Sequence, residues 1–336
     1  MAKILLLLLV CLIYLTMPLI VAQEQAGPWI IQVPTLNQES AVKLITAAND
    51  KAMSLESDFY APAKCKMHIY VLGREGTILA ATQNLGAWPG SADIAYRKAR
   101  TAWLFKSPSK LLGELSRLDK PAKGIVYGIE LSNGGLISFP GGLPIFDKHG
   151  LLVGTIGVSG DSVDNDELVA QAGVDRFKEL GPEAVQYLPT LSQQGAVAIV
   201  HAAAAKACQT KSDIFGAMTK MHIYVLGREG TVLAATQADD AFPGSADIAY
   251  RKARTSWLFK LPTGTLGEFS RADKPAKAPV YGIELSNGGL ITFHGGLPMF
   301  DANGELVGTI GVSGDSADKD GLVAQAGVDA FKAKQK

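Results

Sequence analysis

Three kinds of residue in this chain could hold or act on a ligand. The first are cations on a helical stretch. In SADIAYRKARTAWLF, which starts at Ser91, Arg97 and Arg100 lie three apart and Lys98 falls on a different face. Guanidinium groups grip carboxylates through paired hydrogen bonds, and a helix start at Ser91 adds free backbone N–H groups. The pattern suits an organic anion; it equally suits a solvated basic face, the ordinary place for charge runs. The second are glycines. GGLPIFDKHGLLVGTIGVSG, from Gly141 to Gly160, recurs as GGLPMFDANGELVGTIGVSG from Gly295 to Gly314. Glycine inside a strand, as at Gly154 and Gly157, marks close approach of a ligand or of another backbone, and both readings stand. The third are histidines. His68 and His222 fill one position in the two copies, His149 lies in a turn, and His294 precedes the second GGLP where the first copy has Pro140. Ser159 is followed by Gly160 and Asp161, which is not the serine elbow of a hydrolase, and neither a phosphate-binding GKS/GKT loop nor HExxH occurs.

The bulk composition removes some partners. Lys plus Arg and Asp plus Glu both number 32 in 336 residues, so no net charge draws the surface to nucleic acid or an anionic membrane. Residues 1–23 read as a secretory signal peptide, with Lys3 before an apolar run, Pro18 breaking it and Ala22 before Gln23; an uncleaved anchor helix is the alternative. The expected location is secreted, periplasmic or extracellular. Past this leader stand two cysteines, Cys65 and Cys208, with no CxxC pair. Any disulfide between them would join the two copies, and two separate small core residues is the other reading.

The elements that must position these residues come twice. MHIYVLGREGT occurs at Met67 and at Met221, an offset of 221 − 67 = 154 that holds without a gap to the end of the first copy. At this offset Cys65 aligns with Thr219 and Cys208 with Ser54. The period is too long for a solenoid, so each copy is a domain. Copy one is expected over 36–178, a linker over 179–190 and copy two over 191–334. Within copy one the spacing predicts a helix over 39–54, a hairpin of strands 66–72 and 77–83, and a helix N-capped by Ser91. A short helix over 110–118 follows, then strands over 125–131, 136–139 and 151–158, and a last helix over 166–178. Strands joined by tight turns require an antiparallel sheet, and the fold class is α+β with helices flanking that sheet.

Taken in order, ADIAYRKARTAW, GGLPIF, GVSG, Asp166 and AQAG (from Ala170) resemble the GlcG/HbpS-like family of haem-binding or haem-degrading domains, over most of both copies. The resemblance implies a profilin-like fold and a tetrapyrrole, haem, as guest and cofactor. Members form oligomers, a related domain ends certain corrinoid adenosyltransferases, and some secreted members signal to a membrane sensor. It implies site residues Lys98, Thr101, Gly141, Gly142, Pro144 and Ser159, with Lys252, Thr255, Gly295, Gly296, Pro298 and Ser313 in copy two; Arg97 and Arg251 join them on residue type. His68, His222 and His294 are the candidate iron ligands. Two departures stand out: Gly73-Arg74 and Gly227-Arg228 replace an aspartate common in the first hairpin turn, and only copy two has the histidine before GGLP. The leading expectation is a secreted haem-binding protein for storage, uptake or sensing, its copies packed as a pseudo-dimer. An enzyme degrading haem or acting on a small organic substrate, and a ligand-free interaction module, are the alternatives.

Overall fold

The computed structural model describes residues 28–116, 124–270 and 278–335. The leader expected over 1–23 lies outside them. In copy one the chain runs β1 (Ile30–Leu36), α1 (Gln38–Ser54), the hairpin β2 (His68–Gly73) and β3 (Ile78–Gln83), α2 (Pro89–Phe105) and α3 (Ser109–Ser116). It then forms the hairpin β4 (Gly142–Phe146) and β5 (Leu152–Ser159), and α4 (Val163–Glu179). Copy two repeats this as β6 (Val185–Leu191), α5 (Gln193–Ala207), β7 (His222–Gly227), β8 (Val232–Gln237), α6 (Pro243–Phe259), α7 (Thr263–Ser270), β9 (Gly296–Phe300), β10 (Leu306–Ser313) and α8 (Ala317–Gln335).

Each copy holds a four-stranded antiparallel sheet, in the order β3-β2-β5-β4 and β8-β7-β10-β9. Both faces of the central strands are covered, so β5 is buried along its whole length. Successive residues point to opposite faces. Ile156 meets Gly173 of α4 on one face, while Gly157 meets Ala95 and Ala99 of α2 on the other. Leu44, Ala48, Ile69, Val71, Ile156 and Val169 form the core beneath α1 and α4. The α+β architecture expected from the turn spacing is therefore the one observed.

Several local expectations are corrected. Residues 125–131 are a turn ending in a 3₁₀ helix, Ile129–Leu131, and 136–139 form no strand; the strand lies further on, at Gly142–Phe146. A left-handed Gly128 breaks the first segment, and left-handed Asn133, Gly134 and Gly135 turn the chain just ahead of the second. Ser91 does not cap α2: the helix begins at Pro89, whose missing N–H costs nothing in the first turn, and the Ser91 hydroxyl bonds the Trp88 carbonyl at 2.7 Å. The segment expected as a linker carries most of β6. The offset of 154 fails ahead of Met67. Ser57 bonds Asp161 across 104 residues, but its counterpart Ser212 bonds Asp315 across 103, so the N-terminal parts align at 155. Cys208 then aligns with Met53. Both Cys65, which is buried, and Cys208, which is exposed, are free.

β1 and β6 form a separate two-stranded antiparallel ribbon between the copies. Val33 faces Leu188, its own counterpart at 33 + 155, so the pairing is self-complementary. Each strand begins over the other copy. Trp29 and Ile30 pack on the core of copy two, and Leu180 and Val185 pack on that of copy one. The hairpin turns meet here as well. Arg74 pairs with Glu229 and Arg228 with Glu75, a reciprocal contact since 74 + 154 = 228 and 75 + 154 = 229. Arg74 also donates to the Leu152 carbonyl at 2.8 Å and Arg228 to that of Leu306 at 2.7 Å. The Gly-Arg turn that departs from the resembled family thus helps the ribbon tie the halves together.

Candidate functional site

The glycines bring α2 onto β5, and this close crossing decides the fate of the cations. A Cβ at Gly157 would overlap the Ala95 carbonyl and the Ala99 amide, so helix backbone fills the space that the missing side chain leaves. Lys98 is driven under the GGLP loop and is fully buried. Its Nζ lies 2.6 Å from Asp166 Oδ2 and 2.9 Å from the Val158 carbonyl, and 4.8 Å from the centre of the Phe139 ring. Lys252 repeats this with Asp320 at 2.6 Å, Val312 at 3.0 Å and Phe293 at 4.5 Å. Burial favours the neutral forms: it pulls the Lys98 ammonium down and pushes the Asp166 carboxyl up to about 6, with their mutual attraction opposing both.

The predicted ligand residues gather around this centre, but its interior is already filled. Gly141 sits with φ +109, and a Cβ there would lie 2.8 Å from Lys98 Nζ. The Gly141 N–H donates to Glu167 at 2.7 Å and the Gly142 N–H to Ser109 at 3.0 Å. Thr101 and Thr255 accept from the Ile137 and Ile291 amides, each at 3.1 Å. Arg97 pairs with Asp93 at 2.7 Å and donates to the Gly134 carbonyl at 2.9 Å, and Arg251 does the same with Asp247 and Gly288. Pro144 and Pro298 lie on edge strands, where a missing N–H is harmless, and Ser159 and Ser313 are buried opposite His68 and His222. Lys98 and Lys252 are therefore sealed in the core, a correction to their expected place in a ligand clamp, whereas Arg97 and Arg251 stay over a third exposed while they hold the glycine loops.

The histidines divide in the same way. His68 Nδ1 is 2.8 Å from Ser91 Oγ and Nε2 is 2.9 Å from Gln83 Oε1; His222 has Ser245 at 2.8 Å and Gln237 at 3.0 Å. Both ring nitrogens of each residue are thus within hydrogen-bond distance of protein partners, and an iron at either ring would have to displace one of them. His294 is over half exposed, its Nδ1 3.7 Å from Asp318. It lines an open cleft of about 450 Å³ with Gly295, Gly296 and Leu322. Copy two has this cleft because Gly264 and Gly321 stand where copy one has Lys110 and Glu167, which there form a 2.7 Å ion pair.

A further cleft, of about 600 Å³, lies at the junction of the copies. Phe146, Phe177, Leu180, Val185 and Tyr187 line it, with Lys148, His149 and Lys178 beside them. Sequence reasoning missed it because β6 read as a linker and His149 as turn only. The signal available was an imidazole flanked by Lys148 in a turn that becomes Ala302-Asn303 in copy two. Among the described residues no cluster of three or more His, Cys, Asp or Glu is placed to hold a metal ion.

Fold and clefts together define a tandem pair of profilin-like α+β domains, each a helix-covered antiparallel sheet, with clefts beside the loops rather than within the sheet. The chain belongs to the HbpS-like family: the family described as haem degrading protein HbpS-like matches residues 36–175 and 191–329. A Citrobacter freundii protein, an uncharacterized 15.0 kDa product of the dhaT-dhaS intergenic region, is 31% identical over 147 residues, 44% of this chain and 95% of its own length. The crystal structure of ORFY from Klebsiella pneumoniae shares 31% identity, with TM-score 0.39 over 46% of this chain and 98% of that one. A PduOC:heme complex shares 27%, with TM-score 0.37 over 42% and 94%, and a double mutant of HbpS from Streptomyces reticuli shares 32%, with TM-score 0.35 over 44% and 88%. Each of these relatives has about the length of one copy.

Proposed function

We propose that this protein binds haem, as an exported carrier or sensor rather than a catalyst, with its two copies working as an intramolecular pseudo-dimer. The observation that carries the reading is the junction cleft. Porphyrin is a flat apolar disc with two carboxylates at one edge and an open axial position on its iron. The cleft supplies aromatic and aliphatic walls, Lys148 and Lys178 for the carboxylates, and the His149 imidazole for the iron. Membership of a family described by haem chemistry supports the choice of guest. Export rests on the leader sequence alone, and the pseudo-dimer on the reciprocal Arg–Glu pairs and the self-complementary ribbon.

A second reading places the guest at His294, in the cleft that glycines 264 and 321 open in copy two. Catalysis has less support, because the lysines that could move a proton are sealed in the core. Titration of the purified protein with ferric haem tests the binding reading. A Soret band that sharpens and saturates is expected; spectra identical to free haem at micromolar concentration would reject it.

A further inference from the structure

The junction has a twofold design but not a twofold surface. The cleft built on Phe177, Val185 and Tyr187 has a counterpart at the other end of the β1–β6 ribbon, built on Phe331, Ile30 and Gln32. These are equivalent positions, since 177 + 154 = 331, 30 + 155 = 185 and 32 + 155 = 187. We propose that haem occupies the first cleft alone, with His149 as its axial ligand, so that one chain of two copies takes up one haem. The inference rests on the haem-binding reading above and adds its place and number.

Five differences between the clefts carry it. His149 becomes Asn303, which removes the imidazole, and an amide is a poor ligand for haem iron. Lys148 becomes Ala302, which removes a cation that could meet a carboxylate. Tyr187 becomes Gln32, and the apolar Leu180 has the charged Lys334 at its place, 180 + 154 = 334, so the second cleft is polar at two positions where the first is apolar, and its added aromatic, Trp29, stands elsewhere, at the place of Ala184. The space itself is smaller, about 440 Å³ against about 600 Å³. Trp29 lines the smaller cleft: it stands where the other end has Ala184, and it packs on the core that includes Phe331, which is 1% exposed. Phe177, by contrast, stays half-buried and lines the first cleft.

The turn that carries His149 is held in place without using the ring. Asp147 Oδ1 accepts the His149 N–H at 2.8 Å and the Leu151 N–H at 2.9 Å, and Gly150 takes φ +76 to close the turn. The side chain is exposed and makes no hydrogen bond among the described residues. This is the opposite of His68 and His222, whose ring nitrogens are both engaged. Lys178, on the other wall, is held by Asp175 at 2.8 Å.

The test is a ferric-haem titration of the whole protein, read by the Soret band and by native mass spectrometry. One haem per chain is expected. His149→Ala should weaken binding at least tenfold or shift the Soret maximum, whereas His294→Ala should change neither. His149 lies in an exposed turn, so an unaltered circular dichroism spectrum will show that the variant is folded. Two haems per chain, or a His149→Ala protein that binds as the parent does, would overturn the placement while leaving haem binding intact. A complete lack of binding by the parent would instead sink the reading on which it rests.

Discussion

Replacing Lys98 with methionine tests whether the centre under the GGLP loop is a structural ion pair. Methionine keeps much of the stem and deletes the ammonium. The change removes the bonds to Asp166 Oδ2 and to the Val158 carbonyl and leaves Asp166, with a side chain 2% exposed, facing an apolar neighbour. Breaking a buried pair on one side costs about 3–5 kcal/mol. The cost should also vary with pH, with a definite sign. In the parent protein the Asp166 carboxyl is raised to about 6 from its ordinary 3.8, so the folded form binds that proton more tightly than the unfolded chain. Its contribution to stability is therefore full at low pH and is lost as pH rises through about 6. Without Lys98 the carboxyl is raised further, and the loss continues above pH 6 where the parent has levelled off. At about 1.4 kcal/mol per pH unit, the variant should fall a further ~2 kcal/mol behind the parent between about pH 6 and pH 7.5. Urea unfolding at the two pH values reads this difference, and adding Asp166→Asn should remove its pH-dependent part. A penalty below about 1 kcal/mol, or one equal at both pH values, would refute the reasoning.

Gly157→Ala sets a methyl group against the Ala95 carbonyl and should destabilise by roughly 1–3 kcal/mol or more, lowering the melting temperature; Gly311→Ala should do the same in copy two. Glu229→Arg should lose about 2 kcal/mol by placing two guanidinium groups together at the seam, and Arg74→Glu in the same protein should recover part of it; a swap without recovery would deny the cross-copy pair. Among the described residues, Cys208 should react with a thiol reagent in the native protein. Cys65 should stay silent until unfolding, because burial pushes its thiol up to about 11 and leaves it no exposed surface.

What the sequence made legible was local. The first hairpin and α1 follow from alternation and helical spacing within a dozen residues, and the duplication shows in any comparison of the halves. What it hid was non-local. Spacing in SADIAYRKART sets Lys98 on a different face from the arginines, but only the crossing at Gly157 shows that the lysine's face is the buried one while Arg97 reaches a loop carbonyl. The pairing of β6 with β1 spans some 150 residues, and Gly181, Pro182 and Pro189 disguise the strand. The apolar residues of 125–131 suggested a strand, yet Ile125 and Leu131 are 82% and 89% exposed; composition does not record which side chains find a partner. The ring partners of the histidines on β2 and β7 were hidden for a related reason, since nothing near His68 in sequence announces Gln83 and Ser91, or near His222 Gln237 and Ser245.

The ribbon at the seam has an evolutionary corollary. Two separate polypeptides of one kind, meeting across such an axis, must present the same side chain at both ends, so any gain at one cleft is imposed on the other. Fusing the halves lifts that constraint: each can change alone while its sibling goes on supplying half of the shared ribbon. The imidazole at 149 and the amide at 303 are what such freedom permits.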